Sequence, residues 1–303
     1  MEGIDFVING KGKPIAVQID LLKHADIWNE FYTEWFLNKW WKNLDRYWRA
    51  VIRDALRTDQ NPDKEELKQI LDINFLICKE PKLSILEPLE AMPKLETLVL
   101  ADTAISDLEE IGYLKSLSHL DIINTKVSSL EPIKEMKSLH EIYFQNTKVT
   151  SLDPIAQLNN IHTLAFGETY IHDLSPLKNL RRLEKIYCAD CEIEDLSPIT
   201  NLTRLQILNL KDTNINDLQP IKKLKNLEEL YIQNTAVTNL EPLKGMPHLH
   251  SLGISNTLID SLAPLKNIRS LKKLYCENTQ VSYREMEVFK ADNPRCKIIE
   301  LEL

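Results

Sequence analysis

Leucine or isoleucine recurs every 22 residues without a slip at Leu95, Leu117, Leu139, Ile161, Leu183, Leu205, Leu227, Leu249 and Leu271, and Ile73 fits one period earlier. A fixed period in this range marks a solenoid, in which each coil touches only its neighbours. Each coil reads roughly L-x-x-L-x-L-x-x-T-x-I-x-x-L-x-P-L-x-x-L-x-x. The L-x-x-L-x-L part ends in period-two alternation and predicts a short strand; stacked coils place such strands in parallel, about 4.8 Å apart. The ninth position holds Thr103, Thr125, Thr147, Thr169, Thr213, Thr235, Thr257 and Thr279. A hydroxyl there is expected to bond the neighbouring coil's backbone. The sixteenth holds Pro88, Pro132, Pro154, Pro176, Pro198, Pro220, Pro242 and Pro264, with Glu110 breaking the column. Proline fixes φ and suits the start of a short helical turn on the convex side. Leu108, Leu130, Leu152 and Leu174 form another core ladder.

Solenoid ends need caps, because terminal coils expose apolar faces. After the repeats, Arg284 to Asp292 predicts a helix with Met286, Val288 and Phe289 as its apolar residues, and Lys297 to Leu303 a closing strand. Before them, Trp40, Leu44, Trp48, Val51, Ile52 and Leu56 share one face of a helix over 40–56. Asn61 and Pro62 announce a second helix over 63–73. Further upstream, Ile4 to Asn9 and Pro14 to Asp20 read as a hairpin, followed by an aromatic helix over 21–37. Four segments result: a hairpin-and-helix module at 1–37, a helical cap at 38–72, about ten coils at 73–282 and a C-terminal cap at 283–303.

The coil pattern resembles the 22-residue class of leucine-rich repeat, as in bacterial internalins, over about Ile73 to Thr279. The resemblance implies an α/β solenoid: a right-handed curved horseshoe with a concave parallel sheet and short helical turns on its convex side. The N-P-R-C-K-I wording at 293–298 is similar to the closing element of many bacterial leucine-rich repeat proteins. Internalins are exported, but neither an export signal near Met1 nor a wall-anchor motif near Leu303 is read here, so their extracellular role is not carried over. The stretch G-K-P-I-A-V-Q-I-D-L-L-K-H-A-D-I-W at 12–28 resembles the hairpin and following helix of Phd/YefM-type antitoxins. In that family the hairpin pairs two protomers and a preceding helix helps grip DNA. Only Met1 to Gly3 precede the first strand, so operator binding does not carry over; homodimerisation through 1–37 does, against the alternative that the aromatic helix simply packs on the cap. Phe6, Ile8, Val17, Ile19, Trp28 and Trp35 are the candidate oligomerisation residues.

Composition narrows the function classes. A formal charge of -8 argues against non-specific binding to nucleic acid or anionic membrane. No apolar run approaches the roughly 18 residues of a membrane span, and the expectation is a cytoplasmic bacterial protein. Cys188 and Cys191 spell C-x-x-C, but Cys78, Cys188 and Cys276 occupy the sixth, core-facing column and Cys191 a threonine position. They read as buried structural thiols, which suit a reducing compartment. His140 and His162 share the second column of adjacent coils and His119 is close in register; without a third ligand they read as solvated turn residues rather than a metal pair. Carboxylates such as Asp173, Asp195 and Asp217 repeat on loops, the usual solvated pattern. The basic run Lys39, Lys42, Arg46, Arg49, Arg53 and Arg57 reads as the wet face of the helix around Trp48. No catalytic residue, metal ligand or cofactor motif stands out.

The candidate site is the concave face, formed by the third, fifth and seventh positions. Its fifth column carries Tyr143, Tyr187, Tyr231 and Tyr275 in alternate coils, with Asp121 and Asn209 in the same column. Rings two strands apart are expected at about 9–10 Å. Tyrosine offers apolar area and a hydroxyl with few rotors, which suits an interface. Glu141, Gln145, Lys185, Lys211, Glu229 and Gln233 share the face, and their mixed signs point to a protein or peptide partner rather than a polyanion. Glu141–Thr147 nearly repeats as Glu229–Thr235, so block duplication is the competing origin of the ladder.

Overall fold

The structure, a computed structural model, describes residues 4–8, 14–19 and 25–299. The repeats form one parallel sheet of eleven strands in strict sequence order, from β3 (Phe75–Ile77) to β12 (Lys273–Tyr275) and the closing β13 (Lys297–Ile299). Ten of these strands are the predicted coils, and the register advances by 22 residues at each step: Leu98 pairs with Leu120, and Leu120 with Ile142. The central residue of each of the ten coil strands is buried and its neighbours are half-exposed on most of them, as period-two side-chain alternation requires. Behind the sheet, the leucine and isoleucine columns merge into one continuous core.

The return path of each coil is a short 3-10 turn such as Glu131–Ile133, begun by the predicted proline at its first or second position. The turn Glu109–Ile111 forms without proline. Its start is held by Asp107 Oδ1, which accepts from Glu109 N at 2.7 Å, the same side-chain cap that Asp173 and Asp195 give to turns with proline.

The corner after each strand corrects one expectation. The threonine hydroxyl does not bond the neighbouring coil's backbone; it donates to the carbonyl three residues earlier in its own coil, as in Thr125 to Ile122 at 2.8 Å and Thr147 to Phe144 at 2.8 Å. The bridge between coils is made one residue earlier. Every eighth-position residue from Asp102 to Asn278 has a left-handed backbone, with φ between 50° and 61°. That conformation aims its N–H at the next coil, as from Asn124 to the Gln145 carbonyl at 3.0 Å. Asparagine and aspartate tolerate this region better than other residues with a Cβ. Their side chains then form a second ladder, with Asn146 Nδ2 donating to Asn124 Oδ1 at 2.9 Å and Asn256 Nδ2 to Asn234 Oδ1 at 2.7 Å.

At the N-terminal end the helices form with shifted boundaries. β1 (Ile4–Ile8) and β2 (Pro14–Ile19) make the predicted antiparallel hairpin, with Phe6 opposite Val17; its turn at 10–13 lies outside the described residues. The helix expected to end at 37 instead runs as α1 (Ala25–Asn43), across the expected 37/38 boundary. The next helix is α2 (Arg46–Leu56), not 40–56. The break has a local cause. Asp45 adopts an extended backbone and its carboxylate caps the new helix by accepting from Tyr47 N and Trp48 N. Trp40 therefore belongs to α1 and Leu44 to the break after it, yet both pack in the same core as Trp48, Val51 and Ile52. Two indole N–H groups pin the cap to the first convex turn: Trp40 Nε1 to the Pro88 carbonyl and Trp48 Nε1 to the Ile85 carbonyl, both at 3.0 Å. The basic run is divided between α1 and α2 and is partly structural. Arg49 Nη2 bonds the Lys42 carbonyl at 2.9 Å and Arg53 Nη2 bonds Asn61 Oδ1 at 2.7 Å. The third helix shortens to α3 (Lys64–Lys68) plus a 3-10 turn at Gln69–Asp72, and it starts at a capping box between Asp63 and Glu66.

The C-terminal cap is α4 (Tyr283–Asp292) and β13. Met286 and Phe289 seal the last coil, whereas Val288 is 53% exposed and turns away from the core. Glu285 Oε1 accepts from both Ser261 Oγ and Leu262 N, which fastens the helix to the final convex turn.

The left-handed ladder yields a stability prediction. Asn256→Ala should lower the unfolding free energy by about 1–2 kcal/mol, the cost of forcing a Cβ-bearing chain without a local hydrogen bond into this region. Asn256→Gly should recover most of that loss in urea melts, because glycine relieves the backbone and loses only the amide ladder. Equal losses in the two variants would show that backbone handedness is not what the position supplies.

Candidate functional site

The sheet face gathers the expected residues into two groups. The first lies on β5 (His119–Asp121) and β6 (Glu141–Tyr143). Glu141 Oε2 accepts from the Tyr143 hydroxyl at 3.0 Å and faces His119 Nδ1 at 2.9 Å. The Tyr143 ring leans toward His119, with centroids 5.1 Å apart. Burial raises the Glu141 carboxyl, but hydrogen bonds from Tyr143 and His119 and the nearby imidazoles outweigh it and hold the group below its usual value. Asp121 behaves oppositely: burial pushes it up, although its carboxylate accepts from Ile123 N at 3.0 Å.

The second group lies on β10 (Glu229–Tyr231), β11 (Ser251–Gly253) and β12. The Tyr231 hydroxyl bonds Glu229 Oε2 at 2.8 Å and meets Ser251 Oγ at 3.1 Å. Tyr231 and Tyr275 are closer than strand spacing predicts, with centroids 6.4 Å apart rather than about 9–10 Å. The intervening coil has Gly253, which raises no side chain between them. A Cβ at Gly253 would sit 2.2 Å from Gln233 Nε2, so the Gln233 amide lies flat over the glycine. Gln145 and Gln233 each bury Oε1 without a protein hydrogen-bond partner.

Between the groups, β8 (Lys185–Tyr187) presents a half-buried Tyr187, and Asn209 folds back to accept from Lys211 N at 3.1 Å. Burial, followed by the Glu229 charge, raises the Tyr187 hydroxyl. Lys211 pairs loosely with Asp212 at 3.6 Å. The repeated motif therefore rebuilds the Tyr–Glu bond in both copies but packs each ring differently, because His119 neighbours one copy and Gly253 the other.

Several residues of this face were not recognised from sequence. His119 is a sheet-face residue paired with Glu141 rather than a solvated turn residue, and His162 Nδ1 reaches Glu141 Oε1 at 3.9 Å. The available signal was register: His119 occupies the third column, one coil before Glu141. Phe75, 56% exposed, starts the same column at the N-terminal end, with Ile77 and Val99 half-exposed beside it. Among the candidate oligomerisation residues, Trp35 is 50% exposed with Lys39 Nζ 5.0 Å from its ring centre. Phe6, Ile8, Val17, Ile19 and Trp28 lie outside the residues whose side chains are described.

Cys78, Cys188, Cys191 and Cys276 keep to the core, and Cys296 packs half-buried against it. Cys188 Sγ donates to the Asn209 carbonyl and Cys191 Sγ to the Phe166 carbonyl, both at 3.3 Å. All five are free thiols. Burial pushes Cys78 to about 12 and Cys296 to about 11, and raises Cys188 and Cys191, which opposes thiolate chemistry. Among the described residues no group of three or more histidine, cysteine, aspartate or glutamate side chains is placed to hold a metal ion, and no helix is long and apolar enough to cross a membrane.

Segments 181–223, 203–245 and 225–267 match the family model for leucine rich repeats in two copies. The fold is a leucine-rich repeat solenoid. An internalin, InlF of Listeria monocytogenes, superposes with a TM-score of 0.68 at 21% identity, over 84% of this chain and 88% of its own. A leucine-rich repeat protein of Leptospira interrogans gives 0.67 at 22% identity, over 78% of this chain and 68% of its own. A plant peptide hormone receptor, RGFR1 in complex with RGF2, gives 0.63 at 21% identity; 78% of this chain is covered, against 41% of the receptor. Nothing among curated protein sequences matches. None of these likenesses supports the Phd/YefM-type resemblance of the N-terminal hairpin. In this solenoid, the sheet face is where side chains can differ from coil to coil without disturbing the core.

The half-buried tyrosines give this face a signature in alkali. Burial raises Tyr143, Tyr187 and Tyr231, with Tyr231 pushed up to about 12. A raised folded-state value means that the stabilisation is complete below the unfolded value near 10 and is lost as pH climbs through the folded value. Urea midpoints should therefore fall between about pH 10 and pH 12, and Tyr231→Phe should make that fall shallower. An unchanged slope would place the alkaline transition elsewhere.

Proposed function

We propose that this leucine-rich repeat protein is a non-enzymatic scaffold that binds a protein or peptide on its concave sheet face. The observation that carries the proposal is the row Tyr143, Tyr187, Tyr231 and Tyr275: half-buried rings on a solvent-facing sheet, in alternate coils. Core packing does not require them, since the buried columns lie behind the sheet. Half-buried tyrosine loses little rotamer entropy on contact and presents both a ring face and a hydroxyl. Glu141, Glu229, Lys185, Lys211, Gln145, Gln233, Asn209 and Asp121 would supply polar specificity around them. A similar fold occurs in the plant receptor described in complex with RGF2, which supports a peptide or protein as the class of partner. The free, buried thiols favour a reducing, cytoplasmic setting.

A second reading places function in residues 1–37, as an antitoxin-like module that pairs two copies or engages an effector. The antiparallel β1–β2 hairpin followed by α1 supports it, since a two-stranded hairpin is marginal in isolation and gains from packing against another surface.

Two measurements separate these readings. In pull-downs from source-cell lysate, changing Tyr143, Tyr187, Tyr231 and Tyr275 together to serine should abolish capture of the partner held by the unchanged protein, with thermal melts confirming both folded. Equal capture would move the partner site off the sheet face. In light scattering at tens of micromolar, the N-terminal reading predicts twice the monomer mass, which deletion of residues 1–37 should return to one; a monomer throughout would remove the homodimer.

A further inference from the structure

On three consecutive coils at the edge of the sheet face, two imidazoles approach one carboxylate and a third stands against one of them. His119 Nδ1 lies 2.9 Å from Glu141 Oε2, and His162 Nδ1 lies 3.9 Å from Glu141 Oε1. His140 stands against His162, with ring centroids 5.6 Å apart. All three rings are half-buried. Their backbones are fixed in register: His162 N donates to the His140 carbonyl at 2.9 Å, and His140 N to the Ser118 carbonyl at 2.8 Å.

Glu141 cannot answer three positive charges. One of its oxygens already faces His119 and accepts from Tyr143, which leaves a single 3.9 Å approach to His162. Histidine is the side chain that gains charge between neutral and mildly acidic pH. Once protonated, His140 and His162 would repel each other at this separation, and an anion between them would relieve the repulsion while accepting charge-assisted hydrogen bonds.

The surrounding charges set the direction of the effect. On the flanking strands the charged residues of these columns are Glu96, Asp121, Glu184 and Lys185, with Tyr143 and Tyr187 beside them. Within these columns, neutral imidazoles leave four carboxylates including Glu141 against Lys185, which disfavours an anion; Lys137 precedes the columns and Arg182 reaches the His162 coil through Asn160. Protonating three imidazoles balances the charges. Burial pushes Asp121 up, the direction that weakens its negative charge on acidification.

We propose that His140 and His162, backed by His119, form a binding site for a carboxylate of an acidic peptide, switched on by mild acid. The assignment rests on the sheet face being the partner surface and identifies one of its contacts. It explains why imidazoles occupy adjacent coils where Ser118 and Glu184 precede and follow them in the same column.

Hexaglutamate, titrated into the full chain at pH 5.5 and pH 7.5, tests the site. Calorimetry gives the affinity, and the imidazole Cε1–H resonances in NMR report the location. Binding at pH 5.5 should shift the His140 and His162 resonances and weaken about tenfold at pH 7.5, the scale of one lost charge-assisted contact. The double variant His140→Gln/His162→Gln should lose about tenfold at pH 5.5 and most of the pH dependence. A control pair on exposed residues elsewhere, His172→Gln/His248→Gln, should leave both intact, with thermal melts confirming that each variant is folded. Absence of binding at pH 5.5, equal affinity at the two pH values, or equal loss in the control pair would overturn the site. Hexaglutamate binding retained after Tyr231→Ser/Tyr275→Ser would support it independently of the tyrosine ladder, so that a failure of the ladder in partner capture is told apart from a failure here.

Discussion

Each coil of this protein is stabilised by the coil beside it. Strands of three residues cannot hold themselves together; they persist because the strand backbone and the core leucines of one coil find their equivalents 22 residues away. The left-handed residue at position eight is the hinge of that arrangement. It turns the chain out of the sheet and, in the same step, aims an amide at the following coil. The asparagine ladder, the threonine bonds inside each corner and the proline-led turns all assume that this corner has the same shape each time.

Where physics repeats, the sequence was readable. The core columns, strand positions and both caps follow from the spacing of apolar residues, because burial imposes the same demand on every coil. Legibility fell off where a single neighbour decides. The break at Leu44 and Asp45 depends on one carboxylate capping a helix in a stretch with no proline or glycine. The closeness of Tyr231 and Tyr275 depends on Gly253, whose effect is visible only when the Gln233 amide is seen lying across it. The threonines were assigned to the right corner but the wrong partner, since a hydroxyl can reach either coil and only the geometry chooses its own. His119 was read as wet because single histidines usually are; its pairing with Glu141 requires adding one repeat length to its number.

The candidate site shows the same division. Its residue types were legible, being the positions that burial leaves free, whereas their grouping was not. Tyr143 turns toward a histidine and Tyr231 toward another tyrosine, although the motifs around them are nearly identical. The face is thus polar and aromatic in two different ways along one scaffold, and its N-terminal end adds the exposed Phe75.

A constant coil length also makes distance on this surface discrete. A feature copied by duplicating whole coils moves by an integral number of strand spacings and turns by the same number of per-coil rotations, so Glu229–Thr235 nearly repeats Glu141–Thr147 four strands on, about 19 Å along the sheet. The solenoid acts as a ruler whose marks cannot drift by fractions. A partner with its own regular pitch would be matched or mismatched in whole steps, and lengthening the protein by one coil would change which steps coincide without altering any individual contact.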